Sequence, residues 1–359
     1  MLPSIKPSDS CLPHFPDQDG WYGADGAYSI QLDERRTLWL FGDTFASEDE
    51  RRKDRIGMDV VMGNTLAVST CSDDQRFSIR YFLKKKNGKF ISSFGENDWL
   101  WPQDPFIAGR MLYIPFLVIE AIPHAPQPFN FKVAGHKVAR IKDYEALDPR
   151  EWAVDYLDWT HAIPEGVQAL ATTSIVHQGH IYFFPLYRHK KDNLNMSGNI
   201  LARIPLSNLN HPEMSMQYLN RDGMWENKLT PETIKIILGA AVSELSVRYH
   251  PENNHWMAVY LSPDDKGRRL LYQTAPGLEG PWSAPVPLIT SIDEVDPASR
   301  LYDKHTFCYA GKEHRQFARA NELVVTYVCN SSDSDNKTTG FLYTNLFLYR
   351  PVVKIINVH

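Results

Sequence analysis

The chain has little that would anchor it in a lipid bilayer or on a nucleic acid. No window of about 18 apolar residues occurs, so no segment reads as a membrane-spanning helix. The opening "MLPSIKPSDSCLPHF" lacks the apolar core of a signal peptide, and that start suits either a cytosolic protein or a mature form with an added Met. The formal net charge is -5 and the basic runs, "KKK" at 84–86 and "RHKK" at 188–191, are short. Nucleic-acid binders concentrate positive charge on one face, so both runs read as solvated loops. Cysteine is scarce, with four in 359 residues. That is too few for a disulfide scaffold, and no Cys-x-x-Cys or Cys/His spacing suggests zinc. Cys308 and Cys329 lie at similar distances on either side of the turn-like "RQFARAN". A cross-strand pairing is conceivable there, but two buried thiols are the expectation, because free cysteine is a common core residue.

What the chain does have is aromatics, at 12%, with 20 glycines and 24 prolines. Short strands and turns suit that composition better than a helical bundle. Strand-like runs recur at near-regular spacing: "TLWLFGDTF" from 37, "MLYIPFL" from 111, "HIYFFPLY" from 180, "HWMAVYL" from 255 and "ELVVTYV" from 322. Each is preceded by another strand candidate, as in "DGAYSIQL", "DPFIAGR", "ATTSIVHQG", "VSELSVRYH" and "HTFCYAGK". Each is followed by a third, "GNTLAVST", "HKVARI", "NILARIPL", "RLLYQTA" and "GFLYTNLFLY". Turn residues separate them. The pattern predicts an all-β, five-bladed β-propeller occupying the whole chain, with blades roughly at 20–75, 99–145, 170–210, 240–290 and 300–352. The remaining length falls in long inter-strand loops, with short helices such as "TPETIKIIL". An evenly spaced pair of β-sandwiches is the competing architecture.

A propeller brings the ends of its inner strands to one central funnel. In "GWYGADGAYSIQLDERRTLWLFGDTF" a turn near Asp33 to Arg36 would set Asp25 beside Asp43, with Gly23, Gly26 and Gly42 leaving room for a ligand. Asp104 of "WPQDPF", Glu244 of "VSELSV" and Asp303 with His305 stand at comparable places in other repeats. Converging carboxylates repel, and one of them is pushed toward the neutral acid, which lets an acid and a base coexist near pH 7. Glu244 stands out because burying a carboxylate in an apolar strand costs free energy unless it is paired or functional. An Asp beside a Gly is otherwise an ordinary turn former, and His305 and His314 can equally be hydrogen-bonded core or rim histidines. Trp21, Tyr22, Trp99, Trp101, Tyr187 and Tyr309 could stack on sugar rings, with Arg188 binding hydroxyls; core filling is the alternative for each.

The phrases "ADGAYSIQL...TLWLFGDTF", "GNTLAV", "WPQD", "SELSVRYHPENNHWMAVY", "GPWSAPVPL" and "YAGKEH...LVVTYVCNS" resemble the domain-of-unknown-function 4185 group, associated with family 183 glycoside hydrolases. The resemblance touches every proposed blade. It implies a five-bladed propeller, endo-acting hydrolysis of D-arabinan, and catalytic roles for Asp25 and Asp43, with Glu244 at a recurring acidic position. The "KEHRQF" around His314 departs from the group's fifth-blade motif.

The expected function is therefore hydrolysis of a furanose-containing polysaccharide without an organic cofactor. Asp25 is expected as nucleophile or general base, and Asp43 or Glu244 as the acid. Trp21, Tyr22, Trp101, Asp104, Arg188, His305, Tyr309 and His314 would bind substrate or tune these groups. No metal-ligand set is recognised, although acids and carbonyls meeting on an axis could hold a structural cation such as calcium. A noncatalytic carbohydrate-binding propeller is the alternative.

Overall fold

The run that begins at Thr37 is buried on both faces, and its period of two explains why. In the computed structural model, Leu38 and Leu40 of strand Arg36–Phe41 join Leu112, Ile114 and Phe116 of a following strand in one core cluster. Trp39 and Phe41 point the other way, into a cluster with Trp21, Phe77 and Tyr81 that Phe317 and Val353 complete from the end of the chain. The structure describes residues 11–358 apart from 73, 75, 97, 125–129, 192–193, 320 and 334–335.

The same alternation repeats along the chain. Ile181 and Phe183 pack on the sheet of Tyr113 and Val138, while Tyr182 packs with Val247 and Ala258. Met257 and Val259 then meet Leu323, Val325 and Tyr327. Each main sheet is an antiparallel meander: Tyr28–Gln31, Arg36–Phe41, Thr65–Cys71 and Phe77–Tyr81 in order, then sheets centred on Met111–Ala121, His180–Phe183, His255–Leu261 and Glu322–Ser331. Side chains of opposite parity meet opposite neighbours, and the last sheet returns to the first. The result is a propeller-like ring of sheets.

Two buried polar contacts help to close the ring. His314, 2% exposed, bridges Ser29 Oγ and Thr326 Oγ1 at 2.6 Å each. Arg55, with no exposed surface, donates to the carbonyls of Tyr22, Leu342, Asn345, Leu346 and Leu348. That second contact explains a departure from the sequence reading. "GFLYTNLFLY" is not the third strand of its repeat; Phe341–Thr344 forms a single helical turn, and Val352–Asn357 supplies the strand. The segment's carbonyls wrap a guanidinium instead of pairing with a sheet.

Other expectations also change. Cys308 and Cys329 face each other in register and form a disulfide, and Cys11 joins Cys71. Register on adjacent strands puts the first pair in contact, so the expectation of free thiols fails. "TPETIKIIL" is a turn with isolated bridges at Ile234 and Leu238; Ile234 is buried in the cluster of Ile181 and Phe183, and Leu238 in that of Tyr182. "KKK" is a strand, Lys84–Lys86, in which Lys85 and Lys86 pair with Glu48 and Glu96. Among the described residues no helix is long and apolar enough to cross a membrane.

Candidate active site

The hairpin around residues 25–43 crosses between two sheets. Ala24 pairs with Thr44 on one side of the break and Tyr28 with Leu40 on the other, so the register is continuous and Asp25 stands opposite Asp43. Backbone hydrogen bonds from Asp25 N to Asp43 O, 3.0 Å, and from Gly42 N to Asp25 O, 2.7 Å, hold the pair. Proximity favours glycine at 42, since a Cβ there would lie a tight 3.0 Å from Asp25 Cβ. The room at Gly23 is taken by protein, with the Tyr349 carbonyl and Arg55 guanidinium 2.4 and 2.7 Å from where its Cβ would be. The glycines thus let the chain close on itself; of the three, Gly26 and Gly42 also line the cavity described next.

Asp25 and Asp43 lie in a cavity of about 950 Å³, with Glu244, Tyr309 and Tyr349 beside them and Trp99, Trp101, Phe131 and Arg188 among its walls. Burial raises the Asp25 carboxyl most, the nearby Glu244 charge raises it further and Asp43 adds to both; a hydrogen bond from Tyr309 and the Lys312 charge oppose them. The net is a pKa of about 8. Asp25 Oδ1 has no hydrogen-bond partner. Asp43 is held differently: its Oδ1 accepts from Gly63 N at 2.5 Å and from the indole N–H groups of Trp99 and Trp101 at 3.1 Å each. Burial still raises its pKa, with those three bonds pulling the other way. Glu244 Oε1 is 3.0 Å from Lys312 Nζ, and that ammonium sits 4.0 Å from the Tyr28 ring centroid.

The structure therefore brings together Asp25, Asp43, Glu244, Trp101, Arg188 and Tyr309 from the sequence reading, and Trp99 with them. Glu244 lies just ahead of its strand, which begins at Ser246, at the strand mouth rather than within it. Five other candidates do not line the cavity. Trp21 is wholly buried and stacked on Tyr81 at 4.5 Å. Tyr22 is a core residue whose hydroxyl donates to the Asp49 carbonyl. Asp104 is buried and bound by Arg248, Thr173 and the Ser174 amide. His305 lies outside the cavity, its backbone bonded to Asp303 and Ser332, and His314 is the ring-closing bridge. Tyr187, too, is core.

Lys312 and Tyr349 were missed. Lys312 carried a legible signal, a charge inside the apolar strand Thr306–Glu313, the same kind of oddity that marked Glu244. Tyr349 had none, because it arrives through the segment wrapped on Arg55. No group of three or more His, Cys, Asp or Glu able to hold a metal ion occurs among the described residues.

A model of the family described as "Domain of unknown function (DUF5005)" matches residues 13–357. No curated protein matches the chain. Among solved structures, a Bacteroides ovatus ATCC 8483 protein provisionally described as a hydrolase is 15% identical with a TM-score of 0.68, over 94% of this chain and 86% of that one. An exo-β-1,3-galactanase from Phanerochaete chrysosporium, solved with galactose, is 12% identical with a TM-score of 0.50, over 93% of this chain and 60% of that one. A GH43_1 enzyme from Xanthomonas citri with xylose is 12% identical with a TM-score of 0.46, over 97% and 94%. At such identities the first two likenesses are of fold.

Proposed function

The chain belongs to the DUF5005 family, and from that premise we propose that it is a glycoside hydrolase acting on a polysaccharide. One observation carries the reading: a carboxyl raised to about 8 stands opposite a second carboxylate in an open, aromatic-walled cavity. A carboxylic acid that keeps its proton at neutral pH can deliver it to a departing glycosidic oxygen, while a second carboxylate activates water or attacks the sugar.

We assign the proton to Asp25, the reverse of the role expected for it from sequence. Asp43, oriented through Oδ1 by three donors, serves as base or nucleophile through Oδ2. Glu244 and Lys312 set the charge around Asp25. Trp99, Trp101 and Phe131 offer ring faces and edges against which sugars pack. The ring of sheets reads as a five-bladed propeller. A furanose polymer such as D-arabinan is the finer substrate reading, supported by the motif resemblance, and the galactanase with the shared fold makes β-1,3-galactan the next polymer to try. The two disulfides favour an oxidising compartment.

The test is product release from D-arabinan, L-arabinan, galactofuranan, β-1,3-galactan and xylan by the parent protein and by Asp25→Asn. Oligosaccharides released by the parent alone support the assignment and name the sugar. Binding to one polymer without release by either protein would make the chain a carbohydrate-binding module.

A further inference from the structure

The catalytic cavity does not end at its rim. A second cavity of about 600 Å³ shares Phe131, Val133, Gln168 and Arg188 with it, so the two lie side by side against a common wall. The main cavity alone is at the upper end of the range of about 300–1,000 Å³ that takes one drug-sized ligand. The additional space is therefore more than a single short sugar needs.

The chemistry of the second cavity suits hydroxyl groups. Its lining includes Thr160, Glu165 and His136, together with the shared Gln168 and Arg188. His136 is 6% exposed, and its Nε2 has no hydrogen-bond partner. Burial lowers its pKa to about 4, leaving a neutral imidazole whose Nε2 can donate to or accept from a hydroxyl, according to its tautomer. The one lysine in the wall, Lys132, is paired with Glu120 at 3.0 Å. The remaining charges, Glu165 and Arg188, are of opposite sign, which favours a neutral polyol over an anion.

We propose that this second cavity is a carbohydrate subsite, and that a polysaccharide chain passes from the catalytic carboxylates over Gln168 and Arg188 into it, held there through its hydroxyls by Glu165 and His136. The inference rests on the glycosidase reading and deepens it: a chain that reaches past that shared wall is held on one side well beyond the bond that is cut.

The experiment uses graded oligosaccharides of D-arabinan and of β-1,3-galactan. Their kcat/KM is measured with the parent, Ala134→Trp and Glu165→Ala, and their binding to Asp25→Asn is measured by calorimetry with and without Ala134→Trp. Ala134 lines only the second cavity, where a tryptophan would fill it, and Glu165 is exposed, so its removal spares the core. The expected result is kcat/KM that rises with chain length in the parent, with each variant losing about tenfold on long chains and much less on the shortest chain cleaved, because remote contacts contribute binding energy only when occupied. Length-independent kcat/KM, or equal losses on short and long chains, overturns the subsite while leaving the hydrolase reading intact. Length-dependent binding that Ala134→Trp abolishes, without cleavage by the parent, supports the subsite and removes the hydrolase. Neither binding nor cleavage removes both.

Discussion

Asp25 and Asp104 look alike in sequence, each an aspartate just ahead of an inner strand, yet the fold treats them oppositely. Asp104 is 3% exposed and fully satisfied: both oxygens accept from Arg248 Nη2, at 3.1 and 3.2 Å, and Oδ2 also takes the Ser174 amide and Thr173 hydroxyl. Asp25 has an unpartnered oxygen and two other acids close enough to raise its pKa. Asp104 is buried and Asp25 half-buried at the cavity; what differs more is whether the charge is compensated. A compensated buried carboxylate is part of the framework, whereas an uncompensated one in an open cavity is available for proton transfer.

The comparison breaks first on activity. On the proposed role, Asp25→Asn is expected to lower turnover of the polysaccharide by about 10²–10⁴-fold, the usual contribution of a general acid, measured as initial rates of product release. Its stability should move the other way. The folded pKa of about 8 lies above the ordinary 3.8. Below about pH 4 both folded and unfolded forms hold the proton and nothing is lost; from there to about pH 8 only the folded form keeps it, so parent stability falls as pH rises. Thermal midpoints across that window should show Asp25→Asn increasingly above the parent. A variant less stable than the parent at pH 8 would mean that Asp25 is structural.

Asp104→Ala tests the other half. It leaves Arg248 unpaired in a largely buried setting, and the loss should approach the roughly 3–5 kcal/mol of a broken buried pair, read by denaturant unfolding. Activity per folded molecule should change little. A variant as stable as the parent would show that Asp104 contributes nothing to the framework.

Smaller effects should appear in the pH dependence of kcat/KM, whose alkaline limb we assign to Asp25 near pH 8. Glu244 raises the Asp25 pKa and Lys312 lowers it, so Glu244→Gln should move that limb to lower pH and Lys312→Met to higher pH. Movement of both in the same direction would contradict the charge arrangement. The smallest effect concerns His250, buried between Glu252 at 3.1 Å and Glu313 at 3.2 Å. Burial lowers its pKa but the hydrogen bonds to the two carboxylates outweigh it, and the net shift is upward. The stabilisation is complete below the ordinary value of 6.5 and is lost as pH rises through the folded value. The difference in thermal midpoint between the parent and His250→Gln should therefore narrow on going from pH 6 into the alkaline range.

Asp25 and Asp43 proved legible through local pairing, and Glu244 through a charge beside an apolar strand. The hairpin of Asp25 and Asp43 needs only a turn and a continuous register, both readable from "DERR" and the flanking strands. Trp101 and Tyr309 followed as strand-end aromatics near acids. Trp21 and Tyr22 satisfied the same rule and lie in the core, because composition near a strand end does not reveal which face the neighbouring sheet covers. His314 and Asp104 were drawn into the framework by residues far away in sequence, Ser29 and Arg248.

By itself, then, the sequence determined the all-β strand pattern, the recurrence of the meanders and the juxtaposition of Asp25 with Asp43, since strand periodicity and hairpin pairing are short-range properties of the chain. Only the tertiary structure decided which side chains face the cavity, that Glu244 meets Lys312, and that Tyr349 stands near both aspartates. Alternation assigns each residue to one of two faces, but what that face meets is set by how the ring closes, through contacts such as Arg55 with the last turns of the chain.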